Sequence, residues 1–426
     1  MLTRRTAWLV AIVATLTMTV SYVDRITLSV LAPTVTKVLG ISEWSYGLLG
    51  SVFAAAYLVG TPLAGWWIDR AGARRGLVVS VLAWSVVAAL HAVIPTFGVL
   101  IVLRFALGIT EGPGFPGAAQ TVQRILPERD RERGFGVLFT GSSFGGMIAP
   151  PIAGAMFGLF GWRVAFLITT AAGLVWIPLW LLVTRPRAVR ERLDLPPPAK
   201  AEARTEARTE ARTDTPRPSL GDLVGHSIMR RALCGVFAAA PIFGFAQTWG
   251  AKYLVRAFDT HQADVGHFLW LPPLMLDAGA ILFGDLASRQ RRPQGAPPRL
   301  LFAIAAALAT AFALLPQVAS PWQAMVVMGV AMAGGGAMYT LITSDLLSRM
   351  PMGSVSFAGG ILAGAQSMAM IIINPLIGRV VDALQSYDVI GFGLAVWVIP
   401  GALIWLVWRP AAHFDPGPTL PRAQIT

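Results

Sequence analysis

The sequence predicts an all-α integral-membrane protein in which twelve transmembrane helices form two pseudo-symmetric six-helix bundles. Two observations support this fold class. Hydrophobic residues make up 55% of the 426-residue chain and charged residues only 13%, whereas a soluble protein carries about 25% charged residues. The apolar residues also form long uncharged runs, and a helix needs about 20 of them to cross the hydrocarbon core of a bilayer.

Apolar runs of spanning length fall into two groups of six, which we number spans 1 to 12. The first group comprises residues 7–34, 46–68, 76–94, 97–121, 135–159 and 164–183, and the second comprises 231–254, 265–288, 299–316, 322–347, 355–378 and 389–408. The grouping predicts an N-terminal bundle at residues 1–184 and a C-terminal bundle at 229–410. Two such halves suit a secondary transporter whose halves rock against each other around a central site.

The polar gap between the two groups differs in composition from the rest of the chain. Residues 185–228 contain three consecutive prolines at 196–198 and a Glu-Ala-Arg-Thr tetrapeptide that occurs three times in succession at 202–213. A segment of this composition cannot bury an apolar core, so we expect a charged cytoplasmic linker. Residues 411–426 are expected to form a cytoplasmic tail.

The distribution of Lys and Arg predicts the orientation in the membrane. With the N-terminus inside, 27 of the 34 Lys and Arg residues fall in inner segments and five fall in outer loops. Cytoplasmic loops carry the excess of positive charge, so we expect a multi-pass protein of the cell (inner) membrane with both termini cytoplasmic. The net charge of +12 then reflects topology and contact with lipid, because no aromatic-interleaved basic patch indicates nucleic-acid binding.

The sequence lacks the common signatures of catalysis and of cofactor binding. It has no Gly-rich phosphate loop and no nucleophile elbow. Its five histidines do not have metal-ligand spacing, and Cys234 is the single cysteine. We therefore expect no enzymatic activity, no cofactor and no metal, and transport that is not driven by ATP.

A charged motif stands between spans 2 and 3, at residues 65–75, and reads GWWIDRAGARR. We expect Gly65 at a helix end and Gly72 in a turn. It resembles the signature loop of the major facilitator superfamily, in which the aspartate is thought to dock on a neighbouring helix end and lock one conformation. An ordinary positive-inside loop is the alternative. The resemblance implies a conformational role for five residues: Gly65, Asp69, Arg70, Gly72 and Arg74.

Span 1 carries charged residues at Asp24 and Arg25. Charges at membrane depth are costly and mark functional sites by default. The alternative is that the helix ends at Val23 and leaves the pair in water, although the apolar stretch 26–39 would then be exposed.

Span 4 carries a second pair of charges, at Arg104 and Glu111. Seven residues separate them, so they share one helix face at about 10 Å. Gly108 and Gly112 lie beside them and allow another helix to approach. A purely architectural ion pair with span 1 is the alternative to a functional role.

Four stretches narrow the resemblance within the superfamily. The residues at 21–33 (SYVDRITLSVLAP), 104–118 (RFALGITEGPGFPGA), 161–166 (GWRVAF) and 270–279 (WLPPLMLDAG) resemble the anion:cation symporter family. That family includes proton-coupled uptake systems for hexuronates and galactonate. The resemblance implies proton coupling at Asp24 and Glu111, and binding of an anionic substrate at Arg25 and Arg104.

The resemblance also implies a set of substrate-binding residues in the cavity. Tyr22 on span 1 and Tyr57 on span 2 match two tyrosines that face the cavity in that family. Gln366 and Ser367 stand where sugar-acid relatives carry asparagines, and Ser142 stands where a longer polar side chain is expected. Neighbouring methionines favour a less hydroxylated substrate than a sugar acid.

The expected function is proton-coupled symport of a small organic anion into the cell by alternating access. The anion is a sugar acid, an aromatic acid or another carboxylate, and the protein is expected to work as a monomer. The alternative is a proton-coupled exporter of apolar drugs or metabolites. Its support is a Gly-Pro-rich stretch at 145–154 that loosely resembles a motif of drug antiporters, although a helix bend for close packing is the simpler reading.

Overall fold

The computed structural model describes residues 2–194, 220–290, 296–350 and 355–410. The predicted tail and most of the predicted linker, at 195–219, lie outside the described residues. The first half of the chain contains α1 (Arg4–Leu39), α2 (Glu43–Ala71), α3 (Ala73–Leu90), α4 (Phe97–Glu111), α5 (Gly114–Ile125), α6 (Glu128–Val183) and α7 (Arg187–Leu193). The second half contains α8 (Leu220–Gly225), α9 (Ser227–Gly244), α10 (Gly250–Phe258), α11 (Gly266–Leu269), α12 (Leu271–Arg289), α13 (Arg299–Ala309), α14 (Pro321–Arg349), α15 (Val355–Leu384) and α16 (Asp388–Val407).

Eleven helical segments among the described residues are long and apolar enough to cross a membrane. One of them, α6, has 56 residues and would be about 84 Å long if straight, far more than the hydrocarbon core needs. Gly161 breaks it with a positive φ of 80°. The chain folds back at Gly161, and residues on either side of it contact the same helix, α1. Thr19 of α1 donates to the carbonyl of Gly141 (3.0 Å), and Trp176 donates to the carbonyl of Val13 of α1 (2.7 Å). Helix α6 therefore crosses twice, which gives the predicted twelve crossings.

Several predicted spans are less regular than a single helix, and spans 4 and 7 bear on the site. Span 4 is broken between α4 and α5 at Gly112 and Pro113, because proline cannot donate an N–H and clashes with the preceding turn. The break puts Glu111 at the end of α4, in the interior of the bundle. Span 7 contains a π-helical turn at Phe245–Trp249 between α9 and α10, a distortion that often marks a functional site.

Helix α1 runs unbroken from Arg4 to Leu39 through the predicted charged pair. Asp24 is only 3% exposed, so the alternative that the helix ends at Val23 is wrong. Helix α4 packs closely on α2 through glycine. A Cβ placed on Gly108 would lie 2.6 Å from the carbonyl oxygen of Phe53, so the predicted close approach is present and no larger residue fits without displacement.

The two halves of the molecule are joined most tightly at one end, which we call the closed end: the end where residues 40–42 connect α1 to α2. The carboxylate of Asp382 on α15 accepts hydrogen bonds from the backbone N–H groups of Glu43 (3.0 Å) and Trp44 (2.9 Å) at the start of α2. Lys252 on α10 forms an ion pair with the Glu43 side chain at 2.7 Å. These bonds seal this end across the two halves.

The opposite end, where α2 turns into α3, is looser, and we call it the open end. Phe139 on α6 lines the space between the halves and is 61% exposed. A Cβ placed on Gly65 or Gly360 would meet no atom within 4 Å. The space between the halves is therefore accessible from this end.

Candidate functional site

A cavity of about 560 Å³ lies between the two halves. The volume lies within the range of sites for small organic molecules. All of the residues predicted to bind substrate line it: Tyr22, Arg25, Tyr57, Arg104, Ser142, Gln366 and Ser367. Among the described residues, no group of three His, Cys, Asp or Glu side chains could hold a metal ion.

Arg25 projects from α1 into the cavity and is already engaged by the protein. Its Nη2 donates to Oε2 of Glu111 at 2.7 Å. Its guanidinium lies 4.6 Å from the ring centre of Tyr22, 4.7 Å from that of Phe53 and 4.9 Å from that of Tyr57. An arginine held by one carboxylate and three aromatic rings has its charge largely balanced.

Glu111 lies behind Arg25, away from the cavity wall. Its side chain is fully buried, and Ser21 of α1 donates to the same Oε2 at 2.8 Å. The other oxygen, Oε1, has no hydrogen-bond partner in the described part of the chain. The ion pair between spans 1 and 4 considered in the sequence analysis therefore exists, and it joins Glu111 to Arg25.

Arg104 on α4 differs from Arg25 in its surroundings. It is 4% exposed and lines the cavity. Within the described ranges it has no ion-pair partner, and its Nε and Nη2 have no hydrogen-bond partner. A buried guanidinium without an ion-pair partner is costly unless an anion joins it. Because Arg104 also lines the cavity, it would stabilise an anion bound there.

Asp24 occupies a small chamber behind the cavity. His91 and Thr170 line this chamber together with Arg104, which borders both spaces. Thr170 and Trp84 are the polar neighbours of the Asp24 carboxyl, and neither carboxyl oxygen has a hydrogen-bond partner among the described residues. Asp24 is thus hidden from the cavity, and Arg104 stands between them.

The remaining predicted polar residues differ in whether their hydrogen-bonding groups are already used by the protein. The hydroxyl of Ser142 donates to the carbonyl of Phe139 at 2.9 Å, and that of Ser367 donates to the carbonyl of Ala363 at 3.2 Å. Both hydroxyl protons are therefore used within their own helices. The amide of Gln366 faces the cavity without a hydrogen bond to any described residue, so its donor and acceptor are available.

Several lining residues were not among the predicted site residues. Asp277 on α12 accepts a hydrogen bond from Ser143 on α6 at 2.7 Å, directly between the two halves. Asn374 accepts from the indole of Trp249 at 3.2 Å. Gln247 reaches the cavity from the π-helical turn, which hydrophobic periodicity does not reveal. The Asp277 position was detectable, because it is a charge in an apolar span.

The predicted conformational loop makes its contacts within the first half of the molecule. Gly72 has a positive φ of 76°, which explains why a glycine stands at the α2–α3 turn. Asp69 accepts from Gln120 on α5 at 2.9 Å. Arg74 donates to Thr184 at the end of α6, at 3.2 Å. The Asp69 side chain thus contacts a residue inside α5, and its role in locking a conformation stays a prediction.

Two further residues of the loop are Arg70 and Gly65, and the position of Gly65 differs from the expected one. Arg70 packs over the ring of Trp66 at 3.7 Å. Gly65 was placed at a helix end, but α2 continues to Ala71 and open space surrounds Gly65. That placement was wrong, because the apolar helix continues beyond Gly65 before the turn glycine ends it.

Comparison with known proteins gives consistent results. The family model described as Major Facilitator Superfamily matches residues 13–365. The chain is 27% identical to the hexuronate transporter of Escherichia coli (strain K12) over 96% of the chain and 98% of the relative. It is 24% identical to the D-galactonate transporter of Escherichia coli O6:H1 over 95% of each.

A solved structure has the same fold. It is a bacterial homolog of the human lysosomal transporter Spinster, and it superposes with a TM-score of 0.78 at 17% identity, covering 96% of this chain and all of the other.

Proposed function

The chain belongs to the major facilitator superfamily of membrane transporters, and we propose that it carries a small organic anion into the cell together with protons by alternating access. The observation that supports this most directly is Arg104, a buried guanidinium that lines the cavity and has no ion-pair partner among the described residues. The relatives named as transporters of hexuronate and galactonate support the choice of an organic acid.

The membrane potential gives a physical reason for proton coupling. Moving one negative charge into a negative-inside cell costs about 2.3 kcal/mol per 100 mV. Each proton that accompanies the anion cancels one negative charge. Two buried carboxyl groups close to the cavity, Asp24 and Glu111, are positioned to take up such protons.

The arrangement of charges suggests how substrate and proton are linked. Arg104 lies between the cavity and the chamber of Asp24. A substrate carboxylate that binds Arg104 draws its positive charge away from Asp24, and the isolated Asp24 then takes up a proton. Protonation of Glu111 would release Arg25 from its ion pair in the same way. The linkage is reciprocal, so the proton must also strengthen substrate binding.

The distribution of Lys and Arg supports an orientation in which the closed end lies outside the cell and the open end lies in the cytoplasm. The structure then represents the state in which the cavity faces the cytoplasm. Release of the bonds around Glu43 and Asp382 would open the outer side. The Asp69 loop, whose contacts lie at the open end, would act in the opposite half of the cycle.

Uptake into proteoliposomes under an imposed inward proton gradient tests the proposal. Radiolabelled sugar acids, aromatic acids and small dicarboxylates are supplied in turn. We expect one class of acid to accumulate, and a protonophore to abolish the accumulation. If accumulation of the acid were unaffected by the protonophore, proton coupling would be wrong.

The exporter of apolar compounds is retained as the second function, because aromatic side chains form much of the cavity wall, among them Phe53, Phe115, Phe139 and Phe243. It predicts that a lipophilic cation is expelled and that Arg104→Ala does not impair its transport. Failure of every acid to accumulate, together with expulsion of the cation, would favour this function.

A further inference from the structure

We propose that the substrate is an aromatic monocarboxylate that carries a hydroxyl group, rather than a dicarboxylate or a polyhydroxylated sugar acid. This inference rests on the proposed function and names the substrate of the same cavity. The first observation is the number of arginine side chains on the cavity wall that are available to a substrate. Arg25 is engaged by Glu111 and three rings, whereas Arg104 lines the cavity and has no ion-pair partner in the described structure. One free guanidinium accommodates one carboxylate.

The walls of the cavity favour a flat apolar body. Phe53 and Tyr57 are stacked, with ring centres 6.0 Å apart and planes 20° apart, and they lie beside Arg25. Phe115 and Phe139 form a second pair, 5.6 Å apart, near the open end. Phe243 lines the cavity from the opposite half. An aromatic ring gains from contact with such walls, whereas each sugar hydroxyl facing them would lose its hydrogen bonds to water.

Three hydroxyl groups of the cavity offer no free hydrogen-bond donor to a sugar. The protons of Ser142 and Ser367 are donated to their own helices, and the same is true of Thr61, which donates to the carbonyl of Tyr57 at 2.8 Å. These three side chains can accept hydrogen bonds but have given up their donor. A molecule with many hydroxyl groups would compete with these bonds, whereas an aromatic ring leaves them intact.

Asp277 supplies the last feature of the site. It lines the cavity from α12, in the opposite half from Arg104, and Ser143 donates to one of its oxygens. The second oxygen has no partner among the described residues. A second substrate carboxylate would be repelled by this aspartate, whereas a hydroxyl group could donate to it. The cavity therefore disfavours a dicarboxylate and favours a substrate with a hydroxyl group that donates a hydrogen bond to Asp277.

The direct test is binding to the purified full-length protein in detergent, measured by thermal shift and by competition. The probes are 4-hydroxyphenylacetate, phenylacetate, glucuronate and galactarate. We expect 4-hydroxyphenylacetate to raise the melting temperature most and to bind about tenfold more tightly than phenylacetate, because of one hydrogen bond to a charged group. Asp277→Asn should remove most of that tenfold preference. Asp285→Asn, which alters an exposed carboxylate on the same helix paired with Arg289, should preserve it.

The outcomes separate this inference from the proposed function. If glucuronate or galactarate binds and 4-hydroxyphenylacetate does not, the substrate class is wrong although anion transport stands. If 4-hydroxyphenylacetate binds but never accumulates in proteoliposomes with a proton gradient, proton-coupled import is wrong and the ligand class stands. Binding of none of the four acids would overturn the substrate class.

Discussion

At the scale of single residues, the two arginines of the cavity are not equivalent. Both were expected to bind the anion, but the fold pairs Arg25 with Glu111 and leaves the donors of Arg104 free. Sequence alone could not distinguish them, since the pairing depends on how α1 and α4 pack. We therefore propose that the substrate carboxylate binds Arg104 and that the ion pair of Arg25 takes part in coupling.

Replacement of Arg104 tests this assignment. Arg104→Ala should weaken substrate binding by roughly 10- to 100-fold, because a hydrogen bond to a charged group contributes about 1.5–3 kcal/mol. Arg104→Lys keeps the charge but loses the fork of donors, so its affinity should be intermediate. Arg163→Ala, which removes an arginine that packs over Trp162 outside the cavity, serves as the control. Equal affinity in Arg104→Ala and the wild type, by thermal shift, would assign Arg104 to structure alone.

Some of the site residues could be predicted from the sequence and others could not. Every predicted binding residue lines the cavity, because membrane-embedded polar residues on neighbouring spans face inward. Asp24 was placed correctly in a buried position, but its separate chamber depends on side chains of α3 and α6 that no motif marks. Asn374 and Gln247 were missed because an amide in an apolar run has no distinctive spacing.

At the scale of elements, the contact between α2 and α4 holds the charged face of α4 in place. Gly108 lies one turn from Arg104, and a Cβ there would meet both the carbonyl of Phe53 and the side chain of Ala56. Overpacking of this kind costs about 1–3 kcal/mol. The positions of the α4 charges thus depend on a residue without a side chain.

Gly108→Ala should therefore lower the melting temperature of the detergent-purified protein by several degrees and reduce uptake. Gly98→Ala is the matched control on the same helix, since a Cβ there meets no atom within 4 Å. Its melting temperature should equal or exceed that of the wild type, because alanine favours a helix. Identical behaviour of the two variants would contradict the close-packing account.

The closed end depends on a helix terminus capped from the other half. Asp382 accepts both N–H groups at the start of α2, which places a negative charge at the positive end of the helix dipole. Loss of such a cap costs about 1 kcal/mol. The bond therefore stabilises the state in which this end is shut.

Asp382→Ala should open the closed end more often. In a background with Cys234→Ser and Ser29→Cys, labelling of the cavity by a membrane-impermeant maleimide added outside cells should rise about fivefold, the ratio that corresponds to about 1 kcal/mol. Asp388→Ala, which removes an exposed carboxylate at the start of α16, is the control. Unchanged labelling in Asp382→Ala would show that the cap does not keep the closed end shut.

At the scale of the whole molecule, hydrophobic patterning predicted the number and the order of the crossings. It succeeded because each crossing must satisfy its backbone hydrogen bonds within itself in lipid. The interruptions of the helices were harder to predict. The break at Gly112 and Pro113 and the π turn at Phe245–Trp249 lie inside apolar runs that look continuous. Which end of the cavity is shut depends on contacts between halves, which periodicity does not encode.

We propose that the buried acids beside the cavity couple anion movement to proton movement. The most direct measurement compares Glu111→Gln with the wild type in the same proteoliposomes, by proton-driven accumulation and by counterflow of labelled substrate. Glu128→Gln, at an exposed position at the start of α6, controls for loss of a carboxylate. We expect Glu111→Gln to abolish accumulation and to keep part of the counterflow, because exchange needs no net proton movement. Equal loss of both activities, or full retention of accumulation, would contradict it.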